Sequence, residues 1–112
     1  MKLSKQTRAM LKSRTEFKNA VLERDNYTCR NCGWQGTYGS LDADHVCGRA
    51  SKKDDVRAAG ATVCSIYGRC NFHREKTDGL VKWKASQLHP ETIEFIEKRK
   101  WKMWKGIIWD RP

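Results

Sequence analysis

The sequence predicts a small α+β domain, a class indicated by three observations. Two short runs with strand-like alternation, Leu41 to Val46 and Ala61 to Cys64, lie between segments of helical periodicity. Two cysteine pairs, Cys29-Arg30-Asn31-Cys32 and Cys64 with Cys70, bracket those runs. The chain has 112 residues, of which 38% are hydrophobic, so one domain with a modest core and a metal staple is expected.

The elements follow in order. Met1 to Arg14 carries Lys2, Lys5, Arg8, Lys12 and Arg14 without an acid, and reads as a basic arm, residues 1–14. A helix is expected from Glu16 to Arg24, capped by Thr15, with Phe17, Ala20 and Val21 on one face and Glu16, Lys18 and Glu23 in water. Asp25-Asn26 ends it, and Gly33, Gly36 and Gly39 mark turns around Trp34 and Tyr38.

The first strand would set Leu41, Ala43 and His45 on one side and Asp42, Asp44 and Val46 on the other, as in a half-exposed strand. Gly48 to Arg57 is polar and reads as a loop, and the second strand leads through a turn at Ser65 to Arg69 into a helix from about Asn71 to Thr77. Asp78-Gly79 ends that helix. Residues 80–112 read as a connector with Val81 and Trp83 free to pack, then a basic, Trp-rich helix on the core. Pro90 starts this helix, Ile93, Ile96, Met103 and Trp104 share its stripe, and Gly106 stops it.

The cysteines carry the first chemistry. Two thiolate pairs some thirty residues apart suit a tetrahedral structural zinc held by Cys29, Cys32, Cys64 and Cys70, although the five-residue spacer in the second pair is wide. Cys47 is expected as a free thiol; its replacing Cys64 or Cys70 as a ligand is the alternative. The N-terminus has no apolar leader and no run approaches a membrane span, so a reducing, cytoplasmic setting is expected, with metal-bound thiols rather than disulfides.

The formal charge is +10, which four thiolates around one Zn²⁺ would lower by two. A chain this basic fits a polyanion, because each Lys or Arg set against a phosphate releases a condensed counterion. Lys98, Arg99, Lys100, Lys102 and Lys105 interleave with Trp101, Trp104 and Trp109, offering cations for phosphates and rings for bases or for packing.

Inside the cysteine frame, Asp44-His45 joins a hard oxygen ligand to a group able to act as a general base near neutral pH. On a regular strand the two side chains point oppositely, so a distortion is required to bring both to one site. On a helix, His73 would share a face with Lys76 and Thr77.

Val21 to Gly33, then Asp42-Ala43-Asp44-His45-Val46, then Thr62 to Cys64 and Cys70-Asn71 with His73-x-x-Lys76-Thr77, resemble an HNH endonuclease of the zinc-containing type, over roughly residues 17–79. The resemblance implies a ββα-metal (His-Me finger) fold, a nuclease core over residues 15–79, and DNA as the partner. It implies that His45 activates water and that Asp44 is the first ligand to a catalytic Mg²⁺, Mn²⁺ or Ni²⁺. The second ligand lies between Asn71, directly after the last zinc cysteine, and His73, which imidazole chemistry and the Lys-Thr match favour. Arg74 and Lys76 would then contact phosphate, with Lys98, Arg99, Lys100 and Lys102 as further DNA contacts. Where the family has its middle asparagine, bracing the loop that carries the base, this chain has Ala59.

The resemblance further implies a phage-encoded protein of a bacterial cell, monomeric and strand-nicking, with a dimer or a second encounter needed to cut both strands. Two other readings stand beside it. A zinc-stapled DNA-binding module with a decayed nuclease site is favoured by Ala59, and a zinc-ribbon protein-interaction domain would show no salt-sensitive DNA affinity.

Overall fold

A computed structural model describes residues 14–49, 54–103 and 106–111. The basic arm up to residue 13 and Trp104 and Lys105 lie outside the described residues. Helix α1 (Arg14–Arg24) packs across an antiparallel pair, β1 (Leu41–His45) and β2 (Gly60–Cys64), and helix α2 (Phe72–Thr77) follows β2. A second, parallel pair joins β3 (Trp83–Lys84) to β4 (Ile107–Ile108), with helix α3 (Pro90–Lys98) between them. The result is a mixed α/β domain of three helices and two small sheets among the described residues. None of these helices is long and apolar enough to cross a membrane.

Helix α1 begins at Arg14, so Thr15 lies within it rather than capping it. Its buried residues are Phe17, Val21 and Leu22; Leu22, not Ala20, completes the inward stripe because the chain turns beneath the cysteines directly after it. Leu22, Cys29, Leu41 and Cys64 form a small core under the cysteine cluster. The larger core gathers Val46, Val63, Phe72, Trp83, Leu88, Ile93, Ile96 and Ile107, so residues beyond Gly79 contribute most of it.

The last helix is shorter than the apolar stripe implies. Pro90 fills its first turn and the His89 imidazole accepts the Glu91 N–H at 3.1 Å, as a cap should. It ends at Lys98, because Lys100 takes a left-handed conformation with φ 53°. Ile93 and Ile96 are buried as expected, but Met103 lies past the break and is 75% exposed. Gly106 does not stop a helix; a Cβ there would overlap the Trp101 indole, so glycine lets the chain pass the ring and enter β4.

One ion network locks these layers. Asp25, expected only as a helix breaker, accepts hydrogen bonds from the Thr62 N–H and hydroxyl at 3.1 and 2.9 Å and from Arg24 and Arg30. Arg24 also donates to the carbonyls of Arg57 and Gly60 at 2.8 and 2.7 Å and to Glu91 at 3.0 Å, joining α1 to β2 and α3. Burial pushes the Asp25 carboxyl up, but the two guanidinium groups and the Thr62 donor outweigh it and hold the carboxyl below its ordinary value of 3.8. Its contribution to stability is therefore complete above the unfolded value and is lost as pH falls through the lower folded one. Asp25→Asn leaves the buried Arg24 and the half-buried Arg30 short of a partner and is expected to cost about 2–4 kcal/mol of unfolding free energy at neutral pH. Urea unfolding measures this, and a loss below roughly 1 kcal/mol would show that the network adds little.

Candidate functional site

The cysteine cluster rests on three elements. Thr28 bridges Gln35 to close the first knuckle, which sets Cys29 in the interior and Cys32 at the surface, while Cys64 ends β2 and Cys70 precedes α2. All four sulfurs lie within 4.8 Å of one another. Cys29 to Cys70 is 3.8 Å and Cys32 to Cys64 is 3.6 Å, close to the edge of about 3.8 Å that Zn–S bonds of about 2.3 Å give a tetrahedron. The wide spacer is absorbed by a turn in which Gly68 lies against the Cys64 backbone, where a Cβ would be only 3.0 Å from Cys64 Cα.

Burial pushes the Cys29 thiol up and the Cys32 thiol up to about 12. At Cys70 burial acts the same way, but the Phe72 N–H and the Asn31 amide prevail and lower it. A divalent cation would reverse the upward shifts, since coordination deprotonates thiols outright. Cys47 lies outside the cluster, packed against the larger core, where burial pushes its thiol up to about 12.

Beside the cluster, a cleft of about 570 Å³ is lined by α1, the end of β1 and α2. Asp44, His45, His73 and Lys76 all border it, with Arg14 and Lys18 also on its wall. The alternation of β1 holds: His45 leaves one side and stacks on Phe17 of α1, with ring centres 4.2 Å apart, while Asp44 reaches α2 and Trp83. Both meet the same cleft because β1 ends at His45 and the chain turns there, the Gly48 N–H bonding to the His45 carbonyl at 2.9 Å. Gly60 lies opposite His45; a Cβ there would come within 2.5 Å of Val21 and 2.8 Å of Phe17, so glycine leaves room for the ring that backs the imidazole.

Asp44 is only 5% exposed. Its Oδ2 accepts the Trp83 indole N–H at 2.7 Å and pairs with the Lys76 ammonium at 3.0 Å. Lys76 also donates to the His45 carbonyl at 3.2 Å, so this cation, expected to meet phosphate, is engaged within the site. Burial alone would raise the Asp44 carboxyl, but His73, Lys76 and Trp83 together hold it below its ordinary value.

The other oxygen, Oδ1, lies 3.2 Å from His73 Nδ1. That nitrogen is buried, and its close contact with Oδ1 lacks the alignment of a good hydrogen bond, being an ion pair when the imidazole carries a proton. Neighbouring ligands of an octahedral divalent ion, with bonds of about 2.1 Å, stand roughly 3.0 Å apart, so a carboxylate oxygen and a buried imidazole nitrogen at this separation fit such an ion. The neighbouring carboxylate raises the His73 pKa, against the effect of burial. Asn71, the alternative ligand, is exposed at the start of α2 and borders a separate cavity.

The partner of His45 carries no local signal in the sequence. The His45 Nε2 lies 2.9 Å from Oδ1 of Asp55, a buried residue whose carboxylate is also clasped by Arg49 at 2.8 and 3.0 Å. Arg49 first, and His45 as well, lower the Asp55 pKa against the effect of burial. An ionised Asp55 can only accept, so Nε2 of His45 is the donor in this contact and Nδ1 is the ring nitrogen left unengaged by it. Ala59 is buried and its carbonyl accepts the Val46 N–H at 2.9 Å, so the loop after His45 is braced by backbone there. Nothing in the polar run from Gly48 to Arg57 distinguishes Asp55 from Asp54, which instead pairs with Arg99.

The basic tail is largely paired on the domain. Lys98 meets Glu94 at 3.2 Å, Arg99 meets Asp54 at 2.7 Å, and Lys102 meets Glu97 at 3.9 Å while lying over the Trp109 ring. Lys100 and Arg74 are exposed.

No model of a known protein family matches the chain, and neither does any curated protein or solved structure. The fold and site therefore define the class directly: a small α/β domain with four cysteines at metal-binding distance beside a polar cleft.

Proposed function

We propose that the protein is a metal-dependent endonuclease of the HNH type, acting on DNA, with a structural zinc in the cysteine cluster and a ββα-metal unit made by β1, β2 and α2. The observation that carries this reading is the joint geometry of the cleft: two metal-compatible donors, Asp44 Oδ1 and His73 Nδ1, beside a histidine whose far nitrogen is held by a carboxylate.

In this reading Asp44 and His73 hold a divalent ion, which supplies Lewis-acid stabilisation of charge on the phosphate and leaving oxygens. The imidazole ligand favours Mn²⁺ or Ni²⁺ over Mg²⁺. His45 Nδ1 takes a proton from water as its oxygen attacks phosphorus, and the opposite P–O bond breaks. Asp55 holds the ring so that Nδ1 is the free nitrogen, and Lys76 ties Asp44 and the His45 carbonyl to α2. Arg14 on the cleft wall and the exposed Arg74 are the cations best placed for the DNA backbone, whereas Lys18 on the same wall is paired with Asp42 at 3.6 Å and lies over the Tyr38 ring.

Supercoiled-plasmid nicking tests the reading. The zinc-loaded protein should nick in Mn²⁺ or Ni²⁺, more slowly in Mg²⁺, and stop on chelation of the added ion. Salt-sensitive DNA binding without nicking in any of the three ions would favour a decayed, DNA-binding module. Absence of both would favour a protein-interaction domain.

A further inference from the structure

The wide second knuckle does more than close the cluster. Its five-residue spacer lifts Ile66 and Tyr67 into solvent, 84% and 76% exposed, more than any other large hydrophobic side chain among the described residues. They do not hang on a loose loop. The Ser65 N–H bonds to the Ser40 carbonyl at 3.0 Å, the Ser65 hydroxyl donates to the Gly39 carbonyl at 3.2 Å and accepts the Tyr67 N–H at 3.1 Å, and the Gly68 N–H closes on the Ser65 carbonyl at 2.9 Å. Both ends of the turn are cysteines of the cluster. A two-residue knuckle would have no room for such a tip.

The tip adjoins the cleft. Ile66 walls a cavity of about 260 Å³ together with Asn71, His73 and Arg74, and His73 belongs to both cavities. Arg69, three residues past Ile66, and Arg74 are exposed, so cations flank the apolar tip. An apolar and aromatic projection held by this hydrogen-bonded turn, with Ile66 on a cavity wall shared by His73 and Arg74, matches a polyanion that also presents flat apolar faces.

We infer that the Ile66-Tyr67 tip is a nucleic-acid contact, stacking on or wedging between bases next to the phosphate that lies at Asp44 and His73. The inference rests on the endonuclease reading and names where that site grips its substrate. Stacking on Tyr67 tolerates any base, so the contact strengthens binding without conferring sequence preference.

The test compares the zinc-loaded full chain with I66S/Y67S and with Tyr67→Trp, by fluorescence anisotropy of a labelled duplex without added divalent ion and by 2-aminopurine placed in that duplex. Zinc content and melting serve as controls. The double variant is expected to bind roughly 5- to 100-fold more weakly, with the salt slope unchanged, and to lose the 2-aminopurine change that wild type produces, whereas Tyr67→Trp keeps both. Wild-type affinity in a zinc-loaded I66S/Y67S would overturn the inference and leave the tip to a protein contact, with nicking untouched. A wild-type protein without salt-sensitive affinity for the duplex would overturn the endonuclease reading itself.

Discussion

Replacing His45 with alanine is expected to slow plasmid nicking by about 10²–10⁴-fold, the usual contribution of a positioned base, with zinc content and DNA affinity unchanged. Asp55→Asn tests the other half of the pair. The carboxylate, clasped by Arg49 and held ionised, can only accept from Nε2. An amide can offer its N–H instead, which would place the imidazole proton on Nδ1 and remove the base without removing the ring; losses near 10⁴-fold follow from such a swap in triad enzymes. A fall of about 10²-fold or more in the single-turnover rate, at unchanged Kd, is therefore expected for Asp55→Asn. Equal rates in wild type and His45→Ala would remove His45 as the base. Loss in His45→Ala with full activity in Asp55→Asn would reduce Asp55 to a loop brace.

With zinc in the cysteine cluster, as proposed, stripping it is expected to unfold the domain. Cys29 and Cys64 belong to the small core with Leu22 and Leu41, and without a cation Cys29 and Cys32 revert to neutral thiols, so the coordinate bonds that would tie the first knuckle to β2 and α2 are lost. Structural zinc contributes apparent binding free energies of about 10–16 kcal/mol, comparable to the whole stability of a domain this size. Cys64→Ser, or a strong chelator, should thus abolish the cooperative melting transition seen by circular dichroism. Since burial pushes the Cys32 thiol up to about 12, zinc uptake at neutral pH should release protons, and the metal should be lost more readily as pH falls. Cys47→Ser, outside the cluster, should keep full zinc content. A sharp transition at the same temperature after verified zinc removal would show that the apolar cores alone hold the fold.

The elements that were legible in the sequence are those whose signal is local. Phe17 and Val21 at helical spacing, the alternation through Leu41 to His45, the Cys-x-x-Cys and the His89-Pro90-Glu91 start each depend on neighbours within a few residues, and all appear at those places. What escaped depends on pairing at a distance. The burial of Asp44 comes from Trp83, 39 residues away, and alternation alone makes that strand half exposed. Asp55 lies in a loop without periodicity and is distinguished only by meeting His45. In the tail the left-handed Lys100 defeats a continuous helical stripe, and nothing in two residues such as Ile107-Ile108 announces a parallel partner. The proposed ligand pair shows the same division: sequence left Asn71 and His73 open, whereas only His73 lies beside Asp44.

The Trp83 indole also bears on how the chain is made. The segment that resembles a nuclease ends near Gly79, yet the donor that roofs Asp44, and the Glu91 and Thr92 groups that meet Arg24, come later. A ribosome releasing this chain would present the acid, the histidines and all five cysteines while the roof was still inside the exit tunnel. In the endonuclease reading the proposed site residues therefore precede in sequence the groups that complete their surroundings, and the site would be assembled only once the segment from Trp83 to Thr92 had docked.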